Sequence, residues 1–256
     1  MSRGFGSTYG AGSTDVLATS FNTLPTGIYS RAIWAYMNGT GGGGLGRMFD
    51  ASANTTANDS FFVFDSTHIA YGRAFTTIAG TWTLVTPATG SWHHYAVTYD
   101  STSTANDANL YLDGVLQAVV HTQPSGTRVD TGNSYYIGNR QSSGNRGWDG
   151  MLAHMTLWNN IMLSQVEITA LAAGANPQTI RPDSISCYMP LDGVNNPECD
   201  MMPNAPVGTQ TGTHLGVSDP PVQAIRGDMF DPEIFPYMRS WNGQNMYFDH
   251  FVAGIG

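Results

Sequence analysis

Residues 92–99, WHHYAVTY, carry aromatic or β-branched side chains at almost every position. Such residues favour a strand, and the two-residue period puts His93, Tyr95, Val97 and Tyr99 on one face and Trp92, His94, Ala96 and Thr98 on the other. Both faces are apolar. In a two-layer sandwich one face meets the core, so the second needs a cover of its own, from loops or from a partner. A polar loop at 100–107 leads to a strand at 109–112. Asp113-Gly114 then has the chemistry of a type I′ turn, whose two central residues need positive φ, and a third strand is expected at 115–121. The same reading places strands at 15–20, 29–37, 47–51, 60–64, 69–75, 81–85, 135–139, 150–158 and 185–191, separated by Gly, Asn, Asp and Ser clusters. In the 29–37 strand Arg31, Ile33, Ala35 and Met37 alternate with Ala32, Trp34 and Tyr36, and Trp34 reads as a core-filling side chain.

One helix interrupts this pattern. Ser164 followed by Glu167 forms a capping box, Val166, Ile168 and Leu171 make an apolar stripe, and Gly174 is placed to end the helix. The lead-in, residues 4–13, is rich in glycine and serine and reads as extended. The glycine run at 39–46 joins two strands rather than a strand and a helix, and the chain has no lysine, so a phosphate loop is not indicated. The last 34 residues differ from the rest. Met229, Phe230, Ile234, Phe235, Tyr237, Met238, Trp241, Met246, Tyr247, Phe248 and Phe251 are interleaved with prolines and glycines. That stretch is too apolar for a solvated tail and too broken for a helix. It reads as a docking arm, since aromatic and methionine side chains are the types enriched in interface cores. The expected division is a sandwich at 1–222 and an arm at 223–256, the arm docking on its own sandwich or on another chain.

The run W-H-H-x-A-V-T-Y-D, a short loop and L-Y-x-D-G resembles the laminin G-like branch of the concanavalin A-like jelly rolls. YYIGNR at 135–140 and the segment from Trp148 extend the likeness to about Gly174. The resemblance implies an all-β antiparallel sandwich with one short helix. More narrowly, RAIWAYMNGTGGGGLGRMFD is similar to laminin G-like proteins encoded in tailed-phage genomes. That implies a non-enzymatic virion structural protein, a capsid decoration or cement protein assembled in the host cytoplasm. The arm would bind the major capsid protein or another virion protein, and homo-oligomers are open. The alternative is a glycan-binding adhesin on the phage head or tail.

Composition narrows the chemistry. The ten basic residues are all arginines, dispersed against a net charge of −9, which disfavours nucleic acid and anionic membranes as partners. The first residues lack the apolar core of a signal peptide, and no segment approaches the length of a membrane span. Cys187 and Cys199 read equally as a disulfide or as two thiols. Hydrolases of this fold place paired carboxylates in an E-x-D-x-x-E strand, whereas the glutamates here are only Glu167, Glu198 and Glu233, none in such a motif. His93 and His94 point to opposite faces and cannot share a metal ion, so one is expected to be packed and the other to lie near a loop or interface. No G-x-S-x-G elbow marks a nucleophile. The resemblance implies a calcium option at the sandwich rim, with Asp59, Asn106, Asp107 and Asp149 as candidate ligands, and a glycan option with Trp82, Tyr136 and Trp148 as candidate platforms.

Overall fold

The computed structural model describes residues 2–6, 14–22, 24–51, 59–129, 134–140, 145–193, 197–199, 201–202, 207–212, 214–216 and 218–222. The chain divides into a unit Met1–Val222 and a second unit Gln223–Gly256; the latter, with every proposed arm residue, lies outside the described residues. In chain order the strands are β1 (Arg3–Phe5), β2 (Val16–Thr19), β3 (Ile28–Gly39), β4 (Arg47–Asp50), β5 (Asp59–Val63), β6 (His68–Arg73), β7 (Gly80–Val85), β8 (Trp92–Asp100) and β9 (Asn109–Leu112). After them come β10 (Val115–Leu116), β11 (Val120–Thr122), β12 (Tyr136–Ile137), β13 (Asp149–Asn159), the helix α1 (Gln165–Ala172), β14 (Ile185–Met189), β15 (Glu198–Cys199), β16 (Val207–Thr211) and β17 (His214–Leu215).

They form two antiparallel sheets. One runs β10-β9-β8-β3-β13-β1-β17, with β14 also pairing β13, and the other runs β11-β7-β6-β5-β4-β12-β2-β16-β15. β3 and β8 are the spine of the first sheet, in unbroken register from Ile28 opposite Asp100 to Tyr36 opposite Trp92. Alternation explains the core between the sheets: Ile33, Ala35, Tyr95, Val97, Tyr99, Leu152 and Leu157 meet Phe49, Phe61, Tyr71, Trp82 and Leu84 from the facing layer. At roughly 25 cal/mol per Å², this buried apolar area is the main stabilising term.

The outer face of the first sheet has its own cover. Ala32 and Ala96 lie under a second cluster of Tyr111, Trp158, Leu163, Ile168, Leu171, Ile185 and Tyr188, so α1 and the segments beside it supply the layer that the doubly apolar strand demands. The helix starts where the capping box predicts, with Ser164 Oγ accepting from Glu167 N–H and Glu167 accepting from Ser164 N–H. It also docks on the hairpin. Asp113 (φ 49°) and Gly114 (φ 80°) form the turn with both φ positive, and a β-carbon on Gly114 would lie 3.1 Å from Thr169 Cα, so glycine is required twice over there.

The structure departs from the sequence reading in three places. Trp34 is buried but on the outer face, against the ring of His94 at 5.2 Å, because it alternates with the inward-facing Ile33 and Ala35. The expected strand at 115–121 is two strands in different sheets: β10 pairs β9, and β11 pairs β7. Gln117 N–H still bonds Leu110 O before the chain crosses from one layer to the other, a break hidden by the strand-like residues on both sides of it. Finally, β1 overlaps the start of the extended lead-in expected at 4–13 and is paired with β13, while residues 7–13 lie outside the described residues.

Candidate functional site

The described tryptophans separate sharply by exposure. Trp34, Trp82, Trp148 and Trp158 are buried, while Trp92 is only half-buried at the end of the β3/β8 spine. Tyr36, directly opposite it, is also half-buried, and the two rings meet edge to face at 5.8 Å. The backbone of Tyr36 is fixed from behind: Trp148 Nε1 donates to its carbonyl at 3.2 Å, and a β-carbon on Gly150 would stand 1.9 Å from that oxygen. Trp92 Nε1 donates to Ser218 Oγ at 3.0 Å, which sets the indole's orientation.

Polar groups gather at the same end of β8, where His93 alternates with Trp92 onto the other face of the strand. Ser91 Oγ lies 2.8 Å from His93 Nε2, and His93 Nδ1 lies 2.6 Å from Asp113 Oδ2. The other oxygen, Asp113 Oδ1, accepts from His94 N–H at 2.8 Å. The His93 and Asp113 side chains keep 20% and 47% of their exposure, so the groups are ordered yet open to a ligand. His94, one residue on, shows the opposite environment: burial pushes its imidazole down to about 4, only partly opposed by Asp113. The two histidines thus separate as expected, one packed and one at a loop.

A second polar set lies sealed between the sheets. Asp59 pairs with Arg31 Nε at 3.2 Å and accepts from the hydroxyls of Tyr71 (2.8 Å) and Tyr135, while Tyr29 and Tyr71 share a hydrogen bond of 2.7 Å. Burial raises the phenol pKa of Tyr29, Tyr71 and Tyr135. Burial alone would weaken the Arg31 charge, but Tyr135 and Asp59 more than reverse this. Arg31 and Asp59 side chains are fully buried, so the set is architectural.

The proposed calcium ligands do not converge. Asp59 is spent on Arg31 in the interior. Asn106 donates to Asp100 O, and Asp107 accepts from the indole N–H of Trp82, both in the β8–β9 loop. Asp149 starts β13, packed against Gly39 and Gly6. Among the described residues no three His, Cys, Asp or Glu side chains gather to hold a metal ion. Of the proposed sugar platforms, Trp82 and Trp148 are fully buried and present no face to a ligand; only Tyr136 is half-buried, on the outer side of β12. Sequence reasoning missed Tyr36 and Trp92. The signal was available: Trp92 begins its strand, where the layers stop covering side chains. At the far end of β8, a depression of about 330 Å³ is lined by Ser101, Thr102, Thr104, Thr127 and Arg128, but its one aromatic, Phe75, is buried. Glu167 caps the helix and pairs with Arg181, and Glu198 pairs with Arg3 in the interior; Glu233 lies outside the described residues. Cys187 is buried in the core, and the Cys199 side chain lies outside the described residues. Among the described residues no helix is long and apolar enough to cross a membrane.

Two antiparallel layers, covered among the described residues by one α-helix, define a jelly-roll sandwich of the concanavalin A-like class. The model of the laminin G-type family of the concanavalin A-like lectin/glucanases superfamily matches residues 10–169, and the chain belongs to that family. No curated protein sequence matches the chain. Among solved structures, it is similar to a candidate carbohydrate-binding protein from Bacteroides ovatus ATCC 8483, at a TM-score of 0.61 and 14% identity, covering 87% of this chain. The match spans 61% of that protein's length. A heptameric SAP-like pentraxin from Limulus polyphemus matches over 62% of this chain and 75% of its own, at 13% identity and a TM-score of 0.48. The CBM40 of a Ruminococcus gnavus IT-sialidase, bound to α2,3-sialyllactose, matches over 58% and 84% at 12% identity and a TM-score of 0.44.

Proposed function

We propose that the sandwich is a glycan-binding module that leaves the glycosidic bond intact, displayed as an adhesin on the head or tail of a phage particle. The observation that carries the binding role is the Tyr36–Trp92 pair: the one described tryptophan that is not buried stands edge-on to a half-open tyrosine at the open end of the β3/β8 spine, its indole N–H held by Ser218. Aromatic faces take the apolar face of a sugar ring, and neighbouring donors and acceptors take its hydroxyls. The described glutamates are occupied by arginine partners and offer no open acid pair. The carbohydrate-binding description of the Bacteroides ovatus protein supports the same reading. A glycan array with the purified chain tests it. Capture is expected, and Trp92→Ala and Tyr36→Ala should each abolish it without unfolding the sandwich; an array without hits sinks the reading.

The composition of residues 223–256 favours a second reading, a capsid decoration or cement protein held by that arm. A chain ending at Val222 should then stay folded and fail to join particles. Normal incorporation of the truncated chain would remove the arm from the account.

A further inference from the structure

We propose that Ser91, His93 and Asp113 form an acyl-transfer relay that removes ester-linked acyl groups from a glycan bound at this end of the sandwich. The substrate class rests on the glycan-binding reading; the relay rests on geometry alone. Ser91 Oγ to His93 Nε2 is 2.8 Å, and His93 Nδ1 to Asp113 Oδ2 is 2.6 Å. These are the contacts by which a general base takes a hydroxyl proton while a carboxylate fixes its tautomer. The sequence reading looked for a nucleophile elbow and found none; here the strand period does that work, placing Ser91 and His93 on one side of the chain, and the I′ turn swings Asp113 up to them. The turn is itself held: His94 N–H binds Asp113 Oδ1, and the Gly114 carbonyl accepts from Thr169 Oγ1 and from Gln165 Nε2 of α1.

The chemistry closes without a cofactor. Ser91 Oγ attacks the ester carbonyl carbon as its proton passes to His93 Nε2. The carbon–oxygen bond to the sugar then breaks, and the sugar oxygen leaves with the proton from Nε2. Water attacks the acyl-serine, yields its proton through Nε2 to Ser91 Oγ, and releases the carboxylic acid. Ester and water become acid and alcohol. A missing oxyanion donor costs about 10²–10³ in kcat, so the relay is a slow esterase.

The test uses the full chain, a fluorophosphonate probe with peptide mapping, and p-nitrophenyl acetate. The expected adduct is on Ser91 in preference to the chain's other serines. Ser91→Ala should remove it, and His93→Gln should slow labelling by about 10²-fold or more. Asp113→Asn tolerates the turn's positive φ and keeps an acceptor for His94 N–H. If Asp113 positions His93, that variant lowers kcat and leaves KM unchanged; if Asp113 only shapes the turn, neither moves. No Ser91 adduct, or labelling indifferent to His93→Gln, overturns the relay. The two readings separate cleanly: Ser91→Ala should retain glycan capture, and Trp92→Ala should lose capture yet keep the adduct. Capture without labelling overturns the relay alone, and labelling without capture overturns the glycan assignment alone.

Discussion

Two polar constellations stand in the same sandwich and meet opposite fates. Asp59, Arg31 and three tyrosines are sealed between the layers, each polar group answered by another. Ser91, His93 and Asp113 sit at the open end of β8, where the covering layers stop. Both contain a carboxylate held by a cation or proton donor, so residue type does not distinguish them. Access to solvent does: a sealed carboxylate fixes the register of the layers that bury it, whereas a half-open one can meet a ligand.

The sharpest way to break this contrast is Asp59→Ala. It strands the Arg31 charge in the interior and takes the acceptor from the Tyr71 and Tyr135 hydroxyls, with an expected loss of about 3–5 kcal/mol from urea unfolding. Asp113→Ala, at the half-open site, should cost under about 1 kcal/mol beyond the turn's own preference. Equal losses at the two carboxylates would mean that burial is not what separates them.

The second variant probes the two covers of β8. Leu171 is buried beneath α1 on the outer face, and Val166 on the same helix is 77% exposed. Leu171→Ala should cost about 2–4 kcal/mol, near the value for an inter-sheet residue such as Leu152. Val166→Ala should stay within about 0.5 kcal/mol. If Leu171→Ala falls to that level, the helix is a loose flap and the outer face has another occupant.

The layers were legible because the strand period is two and nearly every strand obeys it: β3, β8 and β9 lie within about three residues of their predicted bounds, and the doubly apolar β8 announced a second cover before α1 was placed on it. The site was legible only in part. Trp82 and Trp148 look like sugar platforms in a one-dimensional reading, since nothing local tells an inward tryptophan from an outward one. Trp34 shows the same limit from the other direction, buried on the face opposite to the core it was assigned. The Ser91–His93 pair follows from strand period alone, but Asp113 joins it only through the hairpin's return, a contact across 20 residues of chain. The switch of layers between Val115 and Val120 was hidden because both halves have strand composition.

A third experiment titrates the packed histidine. The folded chain holds His94 near 4, against about 6.5 for an unburied histidine. Above pH 6.5 both states are neutral there, and His94 makes no pH-dependent contribution. As pH falls from 6.5 towards 4 the unfolded chain takes up a proton that the folded chain refuses, so stability drops across that window, by on the order of 3 kcal/mol, and then levels off. Carboxylates titrate in the same range, so the comparison is with His94→Gln, whose stability should be flatter between pH 6.5 and 4. If His94→Gln keeps the slope of the parent, His94 is not the packed histidine.

The smallest effect tests whether the cover and the open site are coupled. Ser164 Oγ accepts from Glu167 N–H, and Glu167 returns the bond to Ser164 N–H at 2.8 Å while pairing with Arg181. Burial raises the Glu167 pKa, but the bonds from Ser164 and Arg181 outweigh it, so the carboxylate stays ionised at the helix N-terminus, where the helix dipole favours it. Ser164→Ala should cost about 1 kcal/mol, lowering Tm by about 2–4 °C for a domain of this size, and Ser164→Asp should restore most of it. Because Gln165 and Thr169 of α1 hold the Gly114 carbonyl, fraying of the first helical turn should loosen the Asp113 turn before the sandwich unfolds. Hydrogen exchange should then quicken at the amides of 165–169 and of 113–114 together in the alanine variant, with the β3 and β8 amides unchanged. Quickening confined to the helix would show that the turn holds Asp113 without help, and that the open end of β8 depends on its hairpin alone.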